Sequence, residues 1–401
     1  MPQFRKQTVH QIHQSLGNCA LIWKPDHEHG FGPYAVKHGV AHLLFCCRKD
    51  EAVECLSDVH FMAHFSKSWP TIVEPLTACR IVGLGIVEDA WINWIEKHDA
   101  TLMPWIPSGE SLMKLAGWAI DAGMYGLSKR FAQWNLTQAV VLVGHDSDKA
   151  DESRLNLGAA QTLLGELDDA EDLLKQVLDF RSARYGKADG KTLVACAHLA
   201  SLYLTGDKVQ EAVSLLQFEL ESSEKLWGKN HSATLNVHHN LGAAYRKQGE
   251  YELSELHYRE ALRGRTEQFG VQHPSTLNTA ANLGVLLKSV EQYSEAEELY
   301  KRVLSCRKRL LGVAHPNTLV VMHNLAVLLR WSERYDESKA LFEECEQVAA
   351  LTLEPEHRFI QTVRRNYAAL LKAMKQYEQA VVVLRKVLKE EQEILGLEHP
   401  D

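Results

Sequence analysis

Four asparagines stand at a constant interval of 42 residues, Asn240, Asn282, Asn324 and Asn366. Six positions after each comes a cation: Arg246, Lys288, Arg330 and Lys372. A primary amide donates and accepts hydrogen bonds at once. A ladder of amides at fixed spacing can therefore hold an extended peptide backbone without reading its side chains, or it can bond only within its own array. The column reaches back to Asn156, with His198 as the exception between them. The cations, joined by Lys247 and Arg365, are a local asymmetry in a chain of formal net charge −8. They would favour acidic ligands and speed their encounter. The same residues also suit a helix C-terminus, where the macrodipole favours positive charge, and both readings stay open. Ala243, Val285, Val327 and Ala369 lie between the two columns and leave room for a ligand, and Trp331 follows Arg330.

Chemistry of other kinds finds no footing. There is no nucleophile elbow, no H-E-x-x-H and no glycine-rich dinucleotide fingerprint, so the chain is not expected to be an enzyme. Gly186 to Thr192 (GKADGKT) has three residues before Gly-Lys-Thr where a phosphate-binding loop has four. It is expected to be an inter-helix turn. His38/His42 and His60/His64 have the spacing to share a helix face, yet lack further ligands in recognisable spacing, so neither a metal nor a cofactor is expected. Trp91, Trp94, Trp105, Trp118 and Trp134 read as packing groups. The eight cysteines form no CxxC pair and read as reduced thiols. Net negative charge argues against nonspecific nucleic-acid binding. The longest apolar stretches, Cys79–Val87 (broken by Arg80) and Ala139–Val143, fall well short of the ~20 residues of a bilayer span. A cytoplasmic protein with no membrane partner is expected.

The elements that must position the two columns follow from the same period. NLGAAYRKQGEY at Asn240 returns as NLGVLLKSVEQY, NLAVLLRWSERY and NYAALLKAMKQY, and earlier copies begin at Asn156 and His198. A small column (Gly158, Ala200, Gly242, Gly284, Ala326, Ala368) and a bulky one (Leu174, Leu216, Tyr258, Tyr300, Phe342, Leu384) keep that register. Within a unit the apolar spacing is that of two helices. One helix pair cannot bury its apolar face alone, so copies must stack. Turns are expected near Gly249, Glu291–Gln292 and Glu333–Arg334. Each unit closes on WGKNHSATL, FGVQHPSTL, LGVAHPNTL or LGLEHPD. There Gly228, Gly270, Gly312 and Gly396 suit positive φ, Pro274 and Pro316 suit a helix start, and His273 and His315 read as structural.

These columns resemble the tetratricopeptide repeat, and the 42-residue length with its G-x-x-H-P-x-T-L closure resembles the kinesin-light-chain and nephrocystin-3-like subclass. The resemblance implies an all-α fold, a right-handed α-superhelix of antiparallel helix pairs. Its inner face, lined by the first helix of each pair, would bind an extended peptide or partner protein. It places the asparagine column on that face, and an acidic ligand fits the tryptophan-acidic peptides bound by kinesin light chains. The domain reading is a helical region over 1–107, a degenerate first repeat over 108–150 and six repeats over 151–401, truncated at His399-Pro400-Asp401. Self-association through terminal repeats is a second expected contact. Tyr34, Ala35, His38, His42 and Leu43 resemble the helical segment after the nucleotide-binding module of STAND ATPases. On that alternative the chain is the sensor half of a larger signalling ATPase. A cargo adaptor of the kinesin-light-chain kind would need a heptad segment, which residues 1–107 lack.

Overall fold

The computed structural model describes residues 125–352 and 358–395; within them lie thirteen α-helices and no strand. The all-α expectation holds. The STAND-like stretch, the histidine pairs at 38/42 and 60/64, and the tryptophans before 125 lie outside the described residues.

The chain divides into two compact units, Met1–Lys208 and Val209–Asp401. The first contains α1 (Tyr125–Val143), α2 (Asp148–Leu164), α3 (Leu167–Tyr185) and α4 (Gly190–Thr205). The second contains α5 (Val209–Trp227), α6 (Ser232–Gln248), α7 (Tyr251–Phe269), α8 (Pro274–Ser289), α9 (Tyr293–Leu311), α10 (Pro316–Trp331), α11 (Tyr335–Thr352), α12 (Arg358–Ala373) and α13 (Tyr377–Leu395). Within each unit every helix packs on the next in sequence, and the first helices of successive pairs also touch. Short links of this kind make neighbouring helices antiparallel.

Two backbone devices repeat with the 42-residue period. Inside each pair the chain turns on one left-handed residue: Gly165, Asp207, Gly249, Glu291, Glu333 and Lys375 all have φ between 57° and 82°. The N–H groups at and after this residue return to the last helical carbonyls, as Glu291 does to Lys288 (3.3 Å) and Gln292 to Leu287 (2.9 Å). Between pairs the chain passes through Gly186, Gly228, Gly270 and Gly312, with φ from 83° to 97°. At Gly270 and Gly312 ψ is 165° and 164°, a region essentially reserved for glycine.

The next helix is then capped. The side chains of Ser147, Asp189, His231, His273 and His315 accept from backbone N–H groups two or three residues on. Pro274 and Pro316 occupy the first helical turn. His273 and His315 are thus helix caps, bonded through Nδ1 to the amides of Ser275 and Asn317. GKADGKT is the same turn: Gly186 ends α3, Asp189 caps α4, and Thr192 Oγ1 donates to the Gly186 carbonyl at 2.8 Å. Gly396 lies outside the described residues.

The small column lets the paired helices approach. A Cβ on Gly242 would meet the Tyr258 ring at 2.8 Å, and one on Gly284 the Tyr300 ring at 2.8 Å. Leu174, Leu216, Tyr258, Tyr300 and Phe342 are buried, each fully buried chain contributing about 1.5–3 kcal/mol. Between pairs, buried arginines act as clamps. Arg265 donates to the Ser275 carbonyl and to Asn236 Oδ1, and Arg307 donates to the Asn317 carbonyl and to Asn278 Oδ1. Burial without a carboxylate partner pulls Arg265 down to about 10, still cationic at neutral pH.

Candidate functional site

In the unit Val209–Asp401 the four asparagines lie on α6, α8, α10 and α12, the first helices of four successive pairs. All four are half-buried. Asn282 Nδ2 lies 3.2 Å from His239 Nε2, and Asn366 Nδ2 lies 3.1 Å from His323 Nε2. Each histidine belongs to an earlier helix of the same series, 43 residues before its asparagine. Asn366 Nδ2 also donates to the Thr362 carbonyl, and Asn324 Oδ1 lies 3.4 Å from His323 Nδ1. The amides therefore do bond within the array, but with part of their capacity only.

The cations sit in the last turns of the same helices, so the favourable helix-dipole term is present. Among the described residues, none of Arg246, Lys288, Arg330 and Lys372 forms an ion pair with a carboxylate. Their fields overlap. Lys288 is held below the usual lysine range by burial, then by the guanidiniums of Arg330 and Arg246. Burial likewise lowers Arg330, whose Nε is buried with no hydrogen-bond partner and whose guanidinium lies 5.2 Å from the centre of the Trp331 ring. That ring is 56% exposed. Lys372 is exposed.

The geometry thus brings Arg246, Lys288 and Arg330 into one uncompensated positive strip beside the amide column. Ala243, Val285 and Ala369 between them are half-buried and Val327 is buried. Two acceptor–donor groups were missed from the sequence, His239 and His323. Their spacing of 84 residues, twice the repeat, was the available signal.

At the last described pair the pattern changes. Leu384, in the bulky column, is 46% exposed, and it lines a cavity of about 340 Å³ with Lys372, Tyr377 and Val381. Among the described residues no group of three or more potential metal ligands occurs, and no helix is long and apolar enough to cross a membrane.

The tetratricopeptide-repeat family model matches residues 152–189 and 276–317, and a second model of the same description matches 193–267 and 317–389. Together they span more than half of the chain. No curated protein sequence matches. Among solved structures, the nearly identical TPR-like repeats of a protein assigned as a kinesin light chain from Podosopora anserina are 25% identical, with a TM-score of 0.46, covering 50% of this chain and 96% of that one. A Rap protein complexed with competence and sporulation factor is 11% identical, with a TM-score of 0.55, covering 91% of this chain and 99% of that one. A STAND protein with a tetratricopeptide-repeat sensor from Pyrococcus horikoshii is 15% identical, with a TM-score of 0.51, covering 91% of this chain and 53% of that one. The last two share the fold.

Proposed function

Since the chain belongs to the tetratricopeptide-repeat family, we propose that it is an interaction scaffold holding an extended, acidic segment of a partner protein against α6, α8, α10 and α12. The observation that carries this reading is the strip Arg246–Lys288–Arg330: half-buried Lys288 is held down by its burial and by the two flanking guanidiniums, and none of the three cations has a carboxylate partner among the described residues. Such a field attracts an acidic chain, speeds its encounter and disfavours basic competitors. Asn240, Asn282, Asn324 and Asn366 bind the ligand backbone, Arg246, Lys288, Arg330 and Lys372 its carboxylates. Trp331, stacked by Arg330, offers an apolar contact alongside. A Rap protein of similar fold was solved in complex with competence and sporulation factor, which supports a ligand-holding role for such an array. The free thiols of Cys196, Cys306 and Cys345 support a cytoplasmic setting.

A peptide-display selection on the purified chain, run beside an Asn282→Leu, Arg330→Glu double variant, tests the proposal. Acidic peptides should be enriched on the wild type and lost on the variant. For one enriched peptide, Arg330→Glu alone should weaken binding about tenfold, ~1.4 kcal/mol, and flatten its salt dependence. Unchanged affinity with an unchanged salt slope would sink the basic strip as the reader of the ligand.

The exposed Leu384 favours one further contact, with a second copy of this chain over the face of α12 and α13. Leu384→Lys should abolish any concentration-dependent rise in mass measured by light scattering; a rise that survives the change places self-association elsewhere.

A further inference from the structure

The hydrogen-bond chains behind the asparagine column determine which amide atoms remain for a ligand. In the first chain, Asn366 Nδ2 lies 3.0 Å from the Thr362 carbonyl oxygen. A backbone carbonyl only accepts, so the amide cannot be flipped. The same nitrogen lies 3.1 Å from His323 Nε2 and has nothing to accept with, so Nε2 must hold a lone pair. A neutral imidazole then carries its proton on Nδ1, which faces Asn324 Oδ1 at 3.4 Å. Burial keeps His323 in the neutral form, its pKa below the ordinary histidine value.

The second chain ends on another carbonyl. Thr279 Oγ1 donates its proton to the Ser275 carbonyl at 3.0 Å, so toward its other neighbours this oxygen only accepts. Arg265 fills one acceptor position at 2.5 Å, and His239 Nδ1 lies 3.3 Å away. His239 must therefore carry its proton on Nδ1, leaving Nε2 to accept from Asn282 Nδ2 at 3.2 Å.

We infer that His239 and His323 polarise the asparagine ladder: Asn324 turns N–H donors to the ligand, Asn366 turns only its carbonyl oxygen, and Asn282 keeps one donor and its acceptor. This rests on the reading that the column meets a ligand. It deepens that reading by fixing the ligand chemistry as an extended backbone that offers a carbonyl at Asn324 and an N–H at Asn366. A segment with proline facing Asn366 is refused, because it lacks that N–H. His239 and His323 are positioning residues, since each acts through an amide.

The test has one arm that needs no ligand. Two-bond ¹H–¹⁵N correlation spectra of the intact labelled chain report the tautomer of each histidine, and His239→Ala and His323→Ala assign the two signals. The Nδ1–H tautomer is expected at both; Nε2–H at either overturns the polarised ladder. The second arm titrates fluorescein-labelled decaglutamate and the same decapeptide with ester oxygens replacing alternate backbone N–H groups. Asn366→Leu should weaken the amide peptide about fivefold, ~1 kcal/mol, and barely change binding of the ester form. An equal loss for both overturns the acceptor role of Asn366. Failure of the wild type to bind decaglutamate at all would remove the acidic-ligand reading, while the tautomers would still decide the polarisation.

Discussion

Glu219 is the residue whose chemistry is most at odds with its place. It occupies a helix column otherwise filled by Val177, Ala261, Val303, Cys345 and Val387, all buried. Glu219 is itself only 7% exposed, and its Oε2 has no hydrogen-bond partner. Burial raises its pKa from 4.5 to about 8. A raised carboxyl pKa means that the folded state prefers the proton. The contribution to stability is full below about pH 4.5 and is lost as pH rises through about 8. The whole effect is on the order of 5 kcal/mol. Glu219→Val should remove this gradient, so that denaturant midpoints measured at pH 5 and pH 9 converge relative to wild type; an unchanged gradient would show that the carboxylate finds solvent or a partner. The break in an apolar column was visible in the sequence once the repeats were aligned. The direction of each asparagine amide was not, because it depends on contacts 43 residues away and on a threonine or backbone carbonyl that no column records.

At the scale of the element, the turns carry the sequence signature most directly. The expected turn sites near Gly249, Glu291 and Glu333 coincide with left-handed residues. The G-x-x-H-P closure resolves into a glycine-only backbone step followed by a histidine cap and a proline start. Two changes separate these roles. Gly270→Ala should destabilise by about 1–3 kcal/mol, because φ of 85° with ψ of 165° excludes a Cβ. Glu291→Gly should raise stability by up to ~1 kcal/mol, because a side chain at φ 62° is relieved at some cost in unfolded-state entropy. Thermal melts of the two variants must move in opposite directions for this account to stand. The cap has a separable role: His273→Ala loses about 1 kcal/mol, whereas His273→Asp, copying Asp189 two repeats earlier, retains the bond. The buried arginine clamps, Arg181, Arg265 and Arg307, also share the repeat register, but a cation reads as surface until its partners are seen: a backbone carbonyl for each, with the Asp151 carboxylate at Arg181 and an asparagine amide at the other two.

For the molecule as a whole, what the period made legible was nearest-neighbour construction: each helix in a unit packs on the next, and little else crosses between distant pairs. The division of the chain between Lys208 and Val209 falls inside one sequence repeat, so the 42-residue period by itself does not mark it. Nearest-neighbour construction has an energetic consequence, since stability becomes a sum of repeat and interface terms and a local defect should stay local. Gly284→Ala is the cleanest probe. Its new Cβ would fall 2.8 Å from Tyr300 Cε1 and 3.0 Å from Cζ, and Tyr300 is fully buried with no room to withdraw. Overpacking of this kind costs about 1–3 kcal/mol. Amide hydrogen exchange followed by mass spectrometry should show faster exchange in α8 and α9 and in their neighbours α7 and α10. The protection of α13 should stay near its wild-type value. Equal acceleration across all helices from α5 to α13 would instead mean that this unit opens only as a whole, and the additive description would have to be given up.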